Sequence, residues 1–195
     1  MEKELTQEER MILLRLARQA LECVVSSTPL IPLDLELLPE RLKDLGATFV
    51  TLTQGGKLRG CVGTLEAYQP LAEDVREHAV AAALQDYRFA PVNPEEVPGL
   101  EIEISCLSQP QVLDYASPEE LLSKLRPNID GVILSDGLRR ATFLPQVWEN
   151  IPDPATFMYY LCQKMGIDGR TWQYKKLIVF IYQVQVFHET AKQMD

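Results

Sequence analysis

Two glycine turns constrain this chain more than any other feature. Gln54-Gly55-Gly56-Lys57 and Asp136-Gly137 each stand between short apolar runs, and glycine at such points supplies the positive φ that tight hairpin turns demand. Ala47 to Thr53 and Leu58 to Leu65 read as the arms of a first hairpin, and Val132 to Ser135 and Leu138 to Leu144 as those of a second, which Pro145 ends. Hairpins join antiparallel strands, so a sheet built on these two is mainly antiparallel. Leu100 to Leu107 adds a strand by its alternation, with Ile102, Ile104 and Cys106 on one face and Glu101, Glu103 and Ser105 on the other. Leu177 to Phe187 reads as a single closing strand, apolar on both faces until Gln183 and therefore central in its first half.

Helical patterns fall between these strands. Thr6 and Glu9 form a capping box ahead of an apolar stripe, which predicts a helix from Gln7 to Val25. Pro70 opens an alanine-rich helix ending near Leu84, Ser117-Pro118 one ending near Leu125, and Asp153-Pro154 one running to Lys164 and stopped by Gly166. A short turn is expected over Glu40 to Leu45, after a connection with Pro29, Pro32 and Pro39 that reads as extended and partly buried. Asn93-Pro94-Glu95-Glu96 reads as a turn or short helix. The result is an α+β fold, a mainly antiparallel sheet with flanking helices, in a single domain over residues 1–195.

Composition narrows the functional classes. With 46% hydrophobic residues, 195 residues can bury a sizeable core, while a net charge of −9 argues against a nucleic-acid surface. The dense basic spots are only pairs, Arg139-Arg140 and Lys175-Lys176. No apolar run reaches the roughly 18 to 20 residues that cross a bilayer, and the start Met1-Glu2-Lys3-Glu4 does not resemble a signal peptide, so a cytoplasmic protein without a membrane partner is expected. Cys23, Cys61, Cys106 and Cys162 are scattered, far from His78 and His188, which predicts reduced, mostly buried thiols and no structural metal.

Chemistry is concentrated in Leu58-Arg59-Gly60-Cys61-Val62-Gly63-Thr64-Leu65. Pairing Thr53 with Leu58 sets Val50 opposite Cys61 and Leu52 opposite Arg59, and places Arg59, Cys61 and Gly63 on one face of a hairpin covered on both sides. A buried guanidinium there needs a carboxylate, carbonyls or an anionic ligand. Asp86-Tyr87-Arg88-Phe89-Ala90-Pro91 offers a second arginine with a carboxylate two residues before it. Two readings stand: an anion pocket of Arg59 and Arg88 oriented by Asp86, or an internal Asp86–Arg59 ion pair. Gly60 and Gly63 mark a bulge or a close approach of backbone or ligand. Cys61 beside a cation is either a reactive thiol or a small core residue, and His78 either a packed histidine or the base for that thiol. Glu101 and Glu103 read as a charged outer face.

Taken together, the two motifs resemble the AMMECR-type domain family. The likeness extends through Phe49-Val50-Thr51-Leu52, Glu103-Ile104-Ser105-Cys106-Leu107-Ser108, Asp130-Gly131-Val132, Ala141 to Val147, Lys164-Met165-Gly166 and Trp172, nearly the whole chain. It implies an α+β fold of a larger and a smaller lobe, with the arginine-glycine-cysteine motif near a cleft between them. It also implies a link to a Memo-like protein and a radical S-adenosylmethionine enzyme. Residue by residue it implies a site of Arg59, Gly60, Cys61, Gly63, Asp86, Arg88, Phe89 and Pro91, joined by Ser105, Gln146 and Lys164; His78 is outside the family pattern. The expected ligand is small and anionic or thiol-reactive, with Cys61 as the catalytic thiol, Arg59, Gly60, Gly63, Asp86, Arg88, Phe89 and Ser105 as binding residues, and no cofactor named. The competing expectation is a non-catalytic accessory module in which the motif residues serve the fold.

Overall fold

The computed structural model describes residues 4–189, so the first three residues of the acidic start lie outside it. The described residues divide into two compact units, one of residues 4–107 with 185–189, the other of residues 108–184. Among the described residues no helix is long and apolar enough to cross a membrane.

In the first unit, α1 (Gln7–Val25) begins at the capping box: Glu9 N–H donates to the Thr6 hydroxyl, and Thr6 N–H to the Glu9 carboxylate. A short α2 (Glu40–Lys43) leads into β1 (Leu45–Gln54), then β2 (Lys57–Gly63), β3 (Gln69–Pro70), α3 (Leu71–Leu84) and β4 (Leu100–Leu107). Gly55 and Gly56 both take positive φ, 56° and 74°, as the β1–β2 turn requires. The connection before α2 is only partly buried, as expected: Leu33 and Leu38 pack on the core, while Ile31 and Leu37 are exposed. The sheet runs β2-β1-β4-β9, with β9 (Val184–His188) supplied from the end of the chain and β3 paired with β1.

One face of this sheet is covered by α1 and α3. Leu13, Ala17 and Leu21 of α1 and Val75, Ala79 and Ala82 of α3 are buried with Val50, Leu52, Ile102 and Ile104 of the strands. The alanines let α3 come so close that a methyl at Gly60 would collide with the Ala82 carbonyl oxygen. Arg18 of α1 is buried as well and forms an ion pair with Glu189, while donating to the carbonyls of Val97 and Leu100.

The second unit holds β5 (Gln111–Val112), α4 (Pro118–Lys124), β6 (Gly131–Ser135), β7 (Arg140–Phe143), α5 (Pro154–Lys164), α6 (Thr171–Tyr174) and β8 (Ile178–Tyr182). Its antiparallel sheet has the order β5-β8-β6-β7. Gly137 turns the β6–β7 hairpin at φ 94°, and Gly166 ends α5 at φ 79°. The core is aromatic: Trp148 stacks on Phe157 at 3.7 Å, and Phe143 meets Phe157 edge-on at 5.2 Å.

Three expectations need correction. The single closing strand is two, because the chain breaks at Gln183: β8 is interior in the second sheet and β9 belongs to the first. The hairpin β1–β2 is one residue out of the expected register. Thr53 does pair with Leu58, but Leu52 then pairs with Gly60, Thr51 with Cys61 and Val50 with Val62, leaving Arg59 as an extra, bulged residue. A bulge reverses which side chains share a face, so Gly60 and Val62 join Val50 and Leu52 on the helix-covered side and Cys61 joins Thr51 on the other. Nor is that hairpin covered on both sides by its own unit, since Cys61 and Thr51 are only half-buried and Leu58 is exposed.

Candidate functional site

The bulge decides where Arg59 goes. Its guanidinium leaves the ladder direction and reaches the segment after α3, where Nε and Nη2 grip the Glu96 carboxylate at 2.7 and 3.0 Å. Nη1 donates to the Ala90 carbonyl at 2.9 Å and Nη2 to that of Pro91 at 3.3 Å. Glu96 also accepts from Asn93 N–H at 2.8 Å, and with Arg59 beside it its carboxyl is held down at about 2. Arg59 in turn is pushed above the usual guanidinium value by Glu96. The ion pair proposed from sequence for Arg59 therefore exists with a different partner: Glu96, not Asp86.

Asp86 serves the other arginine. Buried just past the end of α3, it accepts from Arg88 Nε at 2.9 Å and Nη2 at 2.6 Å, and from Arg88 N–H at 3.1 Å. It also accepts from the backbone N–H of Cys61 at 2.9 Å, and Arg88 Nη2 donates back to the Cys61 carbonyl at 3.2 Å. One carboxylate thus holds both the cysteine's strand and the second arginine. Arg88 above all, with the N–H groups of Cys61 and Arg88, holds the Asp86 carboxyl far below the carboxylate range despite its burial, and Asp86 raises Arg88. The Arg88 side chain remains 44% exposed, with its guanidinium 5.5 Å from the centre of the Phe89 ring, and Tyr87, between Asp86 and Arg88 in sequence, is exposed.

Cys61 is half-buried on the strand thus held, and its sulfur accepts from the Thr51 hydroxyl at 3.4 Å. All four cysteines are free thiols; Cys106 and Cys162 are buried and Cys23, like Cys61, is half-buried. A methyl at Gly63 would strike the Thr48 carbonyl and Phe49. Gly60 likewise faces α3, so both motif glycines answer to backbone proximity.

The structure joins Arg59, Cys61, Asp86, Arg88 and Phe89 in one patch, and Pro91 enters it through its carbonyl. Ser105 is buried on β4, in the row Gly63–Phe49–Ser105, two strands away from Cys61. Gln146 and Lys164 belong to the second unit, where Lys164 Nζ donates to the Thr142 carbonyl at 2.9 Å. His78 is buried in α3, its Nδ1 3.1 Å from the Asp74 carboxylate, which also accepts from the Thr48 hydroxyl at 2.6 Å. It is a packed histidine, and no hydrogen bond links it to Cys61 among the described residues.

Sequence reasoning missed two members, Glu96 and Thr51. Thr51 was findable once the bulge is admitted, since a glycine inside a strand is one sign of a bulge. Glu96 lies in a turn with an adjacent glutamate, and only the folded path selects one of the two.

Comparison with known proteins finds relatives over almost the full length of the chain. The chain is 36% identical to a protein of Thermofilum pendens, covering 98% of this chain and 94% of the relative. It is 34% identical to one of Methanothermobacter thermautotrophicus, covering 95% and 96%. A crystal structure of an uncharacterized protein from Pyrococcus horikoshii superimposes with a TM-score of 0.82 at 31% identity, over 95% of this chain and 93% of that one. A family model described as AMMECR1 matches residues 14–187. By that match and by relatives of this identity along nearly the whole chain, the protein belongs to the AMMECR1 family.

Proposed function

We propose that the patch around Cys61 and Arg88 is a binding site for a small anionic or thiol-reactive molecule, with Cys61 as the reacting group and Arg88 as the anion contact. The observation that carries this reading is the double use of Asp86, which ties the Cys61 backbone to an arginine whose side chain stays substantially exposed. An arrangement that only needed to neutralise Asp86 has no reason to present the cation beside a half-buried thiol. Arg59 acts one step back, since its donors go to Glu96, Ala90 and Pro91 and fix the segment that carries Arg88. Gly60 and Gly63 let that strand approach its neighbours, and Phe89 flanks the Arg88 guanidinium.

Alkylation tests both parts. Cys61 should react with iodoacetamide faster than Cys23, Cys106 and Cys162, as read by mass mapping of the folded protein. Arg88→Gln should lower the iodoacetate-to-iodoacetamide rate ratio at Cys61 about threefold or more, because only the carboxylate reagent gains from the cation. A Cys61 rate no higher than that of Cys23, or an unchanged ratio, would overturn the reading.

Arg59 favours a second reading. Its guanidinium is so fully engaged by protein acceptors that this half of the motif is explained by folding alone. On that reading the protein is an accessory module presenting a surface to partners. A Memo-like protein and a radical S-adenosylmethionine enzyme are the partners we propose in either case, on the family resemblance alone; co-purification from cells expressing all three would show them.

A further inference from the structure

Cys61 lies between an arginine and a glutamate. Thr51 of β1 pairs with Cys61 of β2 on one side and with Glu103 of β4 on the other, so the three residues form one row across three strands. Directly opposed residues of antiparallel strands turn their side chains to the same face. That face is the one away from α1 and α3, because Val50 and Leu52, the neighbours of Thr51, point into the helix-covered core. Two inter-strand steps of about 4.8 Å put the Glu103 backbone roughly 10 Å from that of Cys61. Between them in the row stands the short Thr51 side chain, whose hydroxyl donates to the Cys61 sulfur at 3.4 Å.

Glu103 differs from the other glutamate of its strand face. Glu101, one row away beside Thr53, is exposed, whereas Glu103 is half-buried. Among the described residues the Glu103 carboxylate has no hydrogen-bond or ion-pair partner. The two motif arginines are turned to other carboxylates, Arg59 to Glu96 and Arg88 to Asp86. A half-buried carboxylate without a counter-charge is a ready acceptor for an ammonium group.

Arg88 stands on the opposite side of the thiol. Strand β2 is at the edge of its sheet, and Arg88 reaches it from outside, donating to the Cys61 carbonyl at 3.2 Å while its side chain stays 44% exposed. The order across the sheet is therefore cation, thiol, anion. Charges so far apart do not suit a free α-amino acid, whose ammonium and carboxylate sit on one carbon.

Resting on the reading of Cys61 as the reacting thiol and Arg88 as its anion contact, we propose that the molecule taken here is an elongated zwitterionic disulfide, its anionic end held by Arg88 and its ammonium end by Glu103. The Cys61 thiolate attacks one sulfur of the ligand, the ligand's S–S bond breaks as the new one forms, and the other half leaves as a thiolate. The ligand is itself the oxidant, so no further electron acceptor enters.

Three disulfides test this: cystamine with two ammonium ends, dithiodiglycolate with two carboxylates, and the mixed disulfide of cysteamine and thioglycolate with one of each. Rates of modification at Cys61 are read by quenched mass mapping of the full chain, each divided by that reagent's rate with free 2-mercaptoethanol to remove its intrinsic reactivity. The mixed disulfide should give the highest normalised rate. Glu103→Gln, which keeps the shape, should lower that rate about threefold, the scale of a partly exposed ion pair, without lowering the rate of dithiodiglycolate. Glu101→Gln should leave both rates unchanged. A mixed disulfide no faster than cystamine or dithiodiglycolate, a rate indifferent to Glu103→Gln, or an equal fall with Glu101→Gln, which would assign the effect to the acidic surface as a whole, would each overturn the proposal. Iodoacetamide has no charged end, so a Cys61 that outpaces Cys23 with that reagent but fails here removes the zwitterion and leaves the reacting thiol standing, while failure with both removes both.

Discussion

Arg59 shows how one side chain's position depends on a single extra residue. Had the β1–β2 ladder run without a bulge, Arg59 would stand opposite Leu52, which is fully buried against the helices. Displaced by the bulge, it clamps the turn that carries Glu96. Glu96→Gln keeps the shape but loses the charge-assisted pair, and should destabilise the protein by about 1–2 kcal/mol in urea unfolding near pH 7. The pH dependence carries a definite sign. Glu96 titrates at about 2 when folded, below its ordinary 4.5, so its contribution is complete above pH 4.5 and is lost as pH falls toward 2. Between those limits the stability of Glu96→Gln should fall less steeply with acid than that of the parent protein. Equal slopes would show that the pair does not form in solution.

At the scale of elements, the tie between α1 and the chain's end stands out. Arg18 and Glu189 form a buried pair whose remaining hydrogen-bonding groups are also satisfied: Arg18 by the carbonyls of Val97 and Leu100, Glu189 by the Ile102 N–H at 3.2 Å. Helix α1, the entry to β4 and the residue after β9 thus meet at one guanidinium. Such a pair adds little over well-packed apolar groups, but removing one partner strands the other. Arg18→Ala should therefore cost about 3–5 kcal/mol, whereas Arg18→Ala combined with Glu189→Ala should cost less than the single change, as measured by a double-mutant cycle in denaturant. The helix itself was fully legible, since the Thr6–Glu9 box and the stripe through Leu13, Ala17 and Leu21 are local signals. Arg18 was not, because nothing in a heptad-scale pattern separates a buried arginine from one that lies on a wet face.

For the whole molecule, two hydrophobic cores correspond to two sheets, one around Val50, Ile102 and Val75 and the other around Trp148, Phe157 and Leu161. Both tryptophans lie in the second unit, so intrinsic fluorescence reports on that core. Leu161→Ala should lower the fluorescence-detected stability by about 2–5 kcal/mol, the usual cost of truncating a fully buried leucine. An effect under 1 kcal/mol would contradict the packing described. Turns, caps and strand alternation, read from neighbours in sequence, determined that the chain is α+β and antiparallel and where its hairpins and main helices lie, because φ preferences and side-chain periodicity act over a few residues. The tertiary structure alone decided that the closing strand is shared between two sheets, that Arg59 bulges out to Glu96, and that Asp86 holds Cys61 and Arg88 together. Those outcomes depend on pairing groups far apart in sequence, where a one-residue slip exchanges the faces of a strand and a carboxylate's partner is whichever cation the fold brings within hydrogen-bonding distance.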